Sequence, residues 1–185
     1  MKSTTKLQKF ALGTFLIYML VLVWVITLKC NMEFPIFMSR ATLEEMTLAE
    51  RAEWTFCHFR FNNDGPINSP DAIEDMVVNV ILFLTVGATL SIVLDKKKYI
   101  TPLLGFLISL AFETVQFFTA IGGFAYIDLI TNTLGSIIGM ILAQALLKVI
   151  KPELATKILV VLQVIFSIIV IYGTINTINH IEIYL

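Results

Sequence analysis

Long apolar runs dominate this chain, and short polar segments separate them. A helix needs about 20 mainly apolar residues to cross the hydrocarbon core of a bilayer. Five runs reach about that length, over residues 10–28, 76–94, 99–120, 126–147 and 158–176. The pattern predicts an all-α fold, a polytopic membrane helix bundle with about five transmembrane helices, in a single membrane domain over residues 1–185.

The first run has the position of a signal peptide but not its form. Its apolar core is longer than the usual signal-peptide core, and no small-x-small cleavage site follows it. We therefore interpret 10–28 as an N-terminal anchor span. A composition of 57% hydrophobic and 15% charged residues supports an integral membrane protein.

Lysine positions predict the orientation, because cytoplasmic loops of membrane proteins retain positive charge. Lysines precede span one, join spans two and three, and join spans four and five. They are Lys2, Lys6, Lys9, Lys96, Lys97, Lys98, Lys148, Lys151 and Lys157. We expect the N-terminus inside, and the long first loop and the C-terminus outside. Membrane lipids are expected partners, and nucleic acid is not.

The long outer loop contains a candidate amphipathic helix. Thr42-Leu-Glu-Glu45 fits a capping box, which predicts a helix opening there and running toward Phe59. Such a helix either lies on the outer leaflet or packs on top of the bundle. Cys30 and Cys57 both fall on the predicted outer side, so a disulfide between them is chemically allowed and stays open. The two histidines lack metal-ligand spacing, and we predict no metal and no cofactor.

Polar residues interrupt three of the spans at similar depths. With a rise of 1.5 Å per residue, Asn79 and Glu113 each lie about 10 Å below the outer end of their span. Asp128 and Asn132 repeat these depths in span four. Ionisable groups inside a membrane are costly and usually functional, so we predict a polar intramembrane cluster in the outer half of the bundle. Its members are Asn79, Ser109, Glu113, Gln116, Asp128 and Asn132, with Asp75 one turn above Asn79.

Small residues continue the same face of span four. Gly135, Gly139 and Ala143 form a small-xxx-small pattern that permits close helix approach, and we interpret it as packing. Gly87 and Gly105 are interpreted in the same way. Whether the chain forms a homo-oligomer through Gly135 and Gly139 stays open.

Four motifs with a characteristic order and spacing resemble the VanZ-like family of membrane proteins. They are Arg60-x-x-Asn63-x-x-Pro66, Asn79-Val-Ile-Leu-Phe83, Ser109-x-x-x-Glu113-x-x-Gln116 and Asp128-x-x-x-Asn132-Thr-Leu-Gly135-x-x-x-Gly139. The resemblance covers about residues 60–140. It implies a multi-pass protein of the bacterial plasma membrane. The namesake of the family is associated with lowered susceptibility to teicoplanin-type lipoglycopeptide antibiotics.

Carried over position by position, the resemblance marks a set of site residues. They are Arg60, Asn63, Asn79, Glu113, Gln116, Asp128 and Asn132. Family members commonly have an arginine or a second acid shortly before the span-four aspartate, whereas residues 122–125 of this chain are Gly-Gly-Phe-Ala. That departure weakens any mechanism that needs paired aspartates. Because guanidinium can bind a carboxylate through two hydrogen bonds, our hypothesis is that Arg60 caps the cluster by pairing with Glu113 or Asp128.

Three functional classes stay open on the sequence alone. The favoured one is a resistance factor whose outward polar pocket recognises a lipid-tailed amphiphile, either a lipoglycopeptide antibiotic or a lipid-linked cell-wall precursor. The second is a membrane enzyme acting on a lipid headgroup, with Glu113 or Asp128 as general base. The third is a small proton-coupled transporter or flippase. Transport is disfavoured because the inner halves of the spans are expected to lack polar residues for a complete path.

Overall fold

Five long helices make up most of the structure, a computed structural model that describes residues 2–32, 46–50, 70–119 and 124–182. They are α1 (Lys2–Met32), α2 (Pro70–Leu94), α3 (Thr101–Thr119), α4 (Tyr126–Val149) and α5 (Pro152–Glu182). A 3₁₀ turn, Asp95–Ile100, joins α2 to α3. All five helices are long and apolar enough to cross a membrane. The predicted all-α fold with five spans is confirmed.

The helices extend beyond the predicted apolar runs. α1 begins at Lys2 and α5 begins at Pro152, whereas the runs begin at residues 10 and 158. Hydrophobicity marks only the part of a helix that crosses the hydrocarbon, and lysine and glutamate continue a helix readily beyond it. Pro70 and Pro152 each open a helix, where the missing N–H of proline costs no intrahelical hydrogen bond.

α2 is the central helix of the bundle. In its membrane-crossing segment 56% of residues are buried, against 22–33% in the corresponding segments of the other four helices. It contacts all four of them, and its contact with α4 is the most extensive. The membrane-crossing segments of α1, α3, α4 and α5 are therefore less buried than that of α2.

An apolar core joins α2 to α1, with residues of α3 and α5 packed against it. Phe15, Tyr18 and Leu22 of α1 pack against residues of α2 such as Phe83. The fully buried Tyr18 hydroxyl donates a 2.7 Å hydrogen bond to the carbonyl of Leu82. A buried hydroxyl without a partner is costly, so this bond fixes α1 against α2 in one register.

Glycines bring α2 and α4 into backbone contact. A Cβ atom on Gly139 would overlap the carbonyl of Leu84, and one on Gly135 would overlap that of Val80. From the other side, a Cβ on Gly87 would overlap the backbone of Ser136. Gly135 and Gly139 therefore lie against α2 of the same chain, and this face of α4 is not available to a second copy.

The helix predicted to run from Thr42 toward Phe59 is interrupted at Met46 and Thr47. Thr42–Glu45 lie outside the described residues, but Met46 and Thr47 are not helical and the helical turn starts at Leu48. Thr47 and Glu50 form the capping box: the backbone N–H and the hydroxyl of Thr47 donate to Glu50 Oε2 at 2.7 and 2.8 Å. These bonds lower the pKa of Glu50 below its ordinary value. A helix running without a break from Thr42 toward Phe59 is therefore contradicted at Met46 and Thr47. Thr42-Leu-Glu-Glu45 and Thr47-Leu-Ala-Glu50 both fit the capping-box motif, and spacing alone does not choose between them.

Replacing Gly139 with alanine is expected to destabilise the protein by about 1–3 kcal/mol, because the added methyl group has no space against α2. Gly13→Ala is the matched control, since nothing lies within 4 Å of a Cβ at Gly13. Alanine is the better helix former, so this control is expected to be neutral or stabilising by up to about 1 kcal/mol. Thermal unfolding of both variants in detergent checks the contrast, and equal midpoints would contradict the close α2–α4 contact.

Candidate functional site

Three hydrogen bonds, two between side chains and one from a backbone N–H to a side chain, lie near the end of the bundle at which α2 begins. Asn79 Nδ2 of α2 donates to Asp128 Oδ1 of α4 at 2.9 Å. Asn132 Nδ2 of α4 donates to Ser109 Oγ of α3, also at 2.9 Å. Glu113 Oε2 of α3 accepts the backbone N–H of Ala125 at 2.8 Å. The structure thus brings five of the predicted residues together across α2, α3 and α4.

The side chain of Glu113 caps the N-terminus of α4. Ala125 precedes the first residue of α4, and its own side chain cannot cap the helix. The Glu113 carboxylate instead binds the Ala125 N–H, while the Ala125 carbonyl accepts the N–H of Asp128 at 3.2 Å. Glu113 is only 3% exposed. A carboxylate on a helix-entry N–H is favourable in charge as well as geometry.

The pairing of α3 with α4 places the two carboxylates at one level. These helices run antiparallel, with Ser109 opposite Asn132 and, one turn deeper, Gly105 against the Ser136 side chain. Each turn of four residues advances both helices by about 6 Å. One turn in the other direction, the same register sets Glu113 opposite Asp128. The polar residues of α3 and α4 that were predicted to share a level are therefore opposite one another at successive turns of this helix pair.

Buried residues of α3 fall on a single narrow stripe. They are Thr101, Gly105, Ser109 and Glu113, spaced four residues apart, and none is a large apolar residue. The facing stripe of α4 contains Asn132, Gly135, Ser136, Gly139 and Ala143. The interface between α3 and α4 is therefore built from small and polar groups, which is typical of helix contacts in membranes.

Two oxygens at the deep end of the cluster are not satisfied within the described chain. Asn132 Oδ1 and Ser136 Oγ are buried and have no hydrogen-bond partner among the described residues. They lie one turn apart on α4. A buried polar atom left unpaired costs about 1–3 kcal/mol. A donor from outside the described residues is therefore favoured at this point.

Of the other predicted residues, some lie near the polar cluster and some lie outside the described residues. Asp75 is half-buried and lies one turn from Asn79. Gln116 is also half-buried and lies three residues from Glu113, toward the same end of the bundle. Arg60, Asn63 and Cys57 lie outside the described residues, as does the Cys30 side chain. The Arg60 cap and the disulfide therefore stay predictions.

Buried polar groups also occur deeper in the bundle. Thr89, Ser91 and Thr101 are buried near the ends of α2 and α3 where the lysine-rich turn lies, and Thr89 Oγ1 donates to Gln163 Oε1 of α5 at 2.6 Å. These parts of the spans are therefore not free of polar residues, and the expected lack of a complete polar path stays a prediction. The signal was present in the sequence as single polar residues in apolar runs, but a helix face cannot be assigned from one residue.

Glu113→Leu is expected to destabilise the protein by about 1–3 kcal/mol, because it leaves the Ala125 N–H without its acceptor. Glu113→Gln keeps an oxygen at the same place, so it is expected to lose less than half as much. Chemical or thermal unfolding of both variants in detergent measures the difference. If Gln destabilises the protein as much as Leu, the hydrogen bond to Ala125 is not the main structural role of Glu113.

Comparison with known proteins agrees with this arrangement. A family model described as VanZ/LLP1 matches residues 15–148, a wider region than the 60–140 that contains the motifs. Protein VanZ of Enterococcus faecium is 34% identical over 85 residues, which cover 45% of this chain and 52% of that protein. The chain thus spans about half the length of this curated relative. No solved structure matches the chain.

The matched region runs from α1 through α4 and includes all the residues of the polar cluster. It covers well over half of the chain. Together with five helices that are able to span a bilayer, it describes a multi-pass membrane protein. The chain belongs to the VanZ/LLP1 family.

Proposed function

We propose that this protein acts in the bacterial plasma membrane as a VanZ-like resistance factor against teicoplanin-type lipoglycopeptide antibiotics. In this proposal the polar cluster of Asn79, Ser109, Glu113, Asp128 and Asn132 recognises the polar part of a lipid-tailed amphiphile. The ligand is the antibiotic itself or a lipid-linked cell-wall precursor. Support comes from the family and from the name of the relative, Protein VanZ.

The unpartnered oxygens of Asn132 and Ser136 carry the proposal. Side chains that only hold helices together are expected to satisfy one another, as Asn79 and Asp128 do. Asn132 instead uses its amide N–H on Ser109 and keeps an acceptor oxygen facing the interior. Sugar hydroxyls and amines supply the donor that such an oxygen needs.

Lipid-facing side chains beside the cluster fit the apolar part of such a ligand. Val78, Val115 and Ile130 are neighbours of cluster residues in sequence, and each is exposed on the outside of the bundle. An acyl chain in the bilayer contacts these side chains at the depth of the cluster. The ligand headgroup then needs to travel only a short way between helices to reach Asp128 and Glu113.

Arg60 has a defined role in this proposal. A guanidinium at the mouth of the cluster pairs with Glu113 or Asp128 and is displaced or shared when the ligand binds. Asn63 shapes the loop that carries it. Replacement of Arg60 by alanine then resembles loss of a cluster carboxylate in its effect on activity.

Expression of the wild-type chain in a sensitive strain is expected to raise the inhibitory concentration of teicoplanin but not of vancomycin, which lacks the lipid tail. Glu113→Gln and Asp128→Asn are expected to abolish this protection at normal membrane levels. Loss of one hydrogen bond to a charged group costs about 1.5–3 kcal/mol, or about 10-fold or more in affinity. Broth dilution with the protein quantified in membranes provides the measurement.

Glu153→Gln is the matched control, because Glu153 lies far from the cluster in an exposed ion pair with Lys157. It makes the same chemical change and is expected to leave protection intact. Full protection by Glu113→Gln and Asp128→Asn would remove the cluster from the function. Absence of protection by well-expressed wild type would contradict the resistance role itself.

A further inference from the structure

The turn between α2 and α3 presents a fixed ammonium group at the end of the bundle opposite the polar cluster. Lys98, in the 3₁₀ turn, donates from Nζ to Gln144 Oε1 of α4. Gln144 Nε2 donates to Ser91 Oγ of α2 at 3.4 Å, and Ser91 Oγ donates to the carbonyl of Ala88 at 2.9 Å. A chain of hydrogen bonds thus ties an exposed lysine to the buried backbone of α2.

The bond to Gln144 positions Lys98 without neutralising it. An ammonium has three N–H donors, and a neutral amide oxygen takes one of them. The turn begins at Asp95, whose φ of 45° ends α2 abruptly. No ion pair joins Lys98 to a carboxylate among the described residues. The positive-inside preference depends on which side of the membrane the lysines are on, and it does not require a lysine to be held in place by a hydrogen bond. The bond between Lys98 and Gln144 therefore needs another explanation.

A second lysine, Lys148, lies on α4 close in sequence to Gln144. Lys148 follows Gln144 by one helical turn, so the two share a face about 6 Å apart along the axis. Lys148 and Lys98 are both exposed. Lys157 at the same end of the bundle differs, since Glu153 pairs with it at 3.0 Å. Lys98 and Lys148, unlike Lys157, have no carboxylate partner among the described residues, so their charge is available to a ligand.

We propose that Lys98 and Lys148 bind the headgroup phosphate of an anionic phospholipid, with Gln144 as the residue that positions Lys98. Tyr99 beside Lys98 is 74% exposed, and exposed tyrosines in membrane proteins favour the headgroup level. On the predicted orientation this lipid belongs to the cytoplasmic leaflet. The site is independent of the resistance function proposed above, because it lies at the other end of the helices.

The test uses the purified full-length chain in detergent, titrated with phosphatidylglycerol and, separately, with phosphatidylcholine, with bound lipid counted by native mass spectrometry. Wild type is expected to bind phosphatidylglycerol preferentially. Near a membrane surface each lysine contributes about 1 kcal/mol toward anionic lipid, so Lys98→Gln and Lys148→Gln are each expected to weaken binding by about 5-fold. Lys157→Gln, the matched control with a lysine already paired, is expected to bind as wild type does.

Two substitutions at Gln144 separate positioning from charge. Gln144→Leu leaves both lysines but frees Lys98, and it is expected to weaken phosphatidylglycerol binding. Gln144→Glu keeps a partner for Lys98 and neutralises it, so it is expected to weaken binding at least as much, and it covers the case in which the leucine variant does not fold. Equal losses in Lys157→Gln and Lys98→Gln would overturn the site in favour of diffuse charge. Displacement of the lipid by millimolar inorganic phosphate would overturn its assignment to a lipid headgroup.

Discussion

Where α4 crosses α2, Gly135 and Gly139 lie directly against the carbonyl groups of Val80 and Leu84. Inside a membrane, helices gain little from hydrophobic burial, because lipid tails are as apolar as the side chains. Close backbone contact and hydrogen bonds between helices have to supply the stability. Three glycines permit that contact here, and it sets the distance at which Asn79 meets Asp128. The polar cluster is a consequence of this crossing as much as of its own side chains.

The contact between α2 and α4 also determines how α3 packs. With α4 held against α2, the Ser136 side chain lies against Gly105 and fixes the register of α3. That register sets Ser109 opposite Asn132 and brings Glu113 to the start of α4. A substitution at a glycine in the middle of α4 is therefore expected to disturb polar contacts two turns away. The geometry of the polar cluster therefore depends on the residues that pack α2, α3 and α4 together.

The sequence predicts the five span-length helices and the common level of their polar residues well, because both depend on quantities that vary little. A bilayer has a nearly constant thickness and a helix a constant rise, so residue counting places Asn79, Glu113 and Asp128 at one level. Counting does not give the rotation of one helix against another. The bond from Ala125 to Glu113 and the unpartnered oxygen of Ser136 both depend on that rotation. The helical turn that begins at Leu48 follows the second of two equivalent capping motifs, and spacing alone does not choose between them.

The two ends of the bundle differ in chemistry in a way that suits two different neighbours. One end gathers carboxylate and amide oxygens between helices, near apolar side chains that face lipid. The other end presents lysines at the surface, with Lys98 tied to α4 through Gln144. We have proposed a ligand with hydroxyl or amine groups for the first end and a lipid phosphate for the second. Thr89 and Ser91 are buried near this second end, and Thr89 donates to Gln163 of α5, so buried polar groups also occur away from the polar cluster.

Cross-linking of cysteines placed at Asn79 and Asp128 tests most directly whether α2 and α4 meet in this register. The experiment uses a background with serine at Cys30 and Cys57 and a short thiol-specific cross-linker in native membranes. The structure predicts efficient cross-linking of the Asn79→Cys, Asp128→Cys pair. It predicts little for Val78→Cys with Asp128→Cys, since Val78 is exposed on the outside of α2. Equal cross-linking of both pairs, or preference for the Val78 pair, would contradict the α2–α4 contact on which the polar cluster depends.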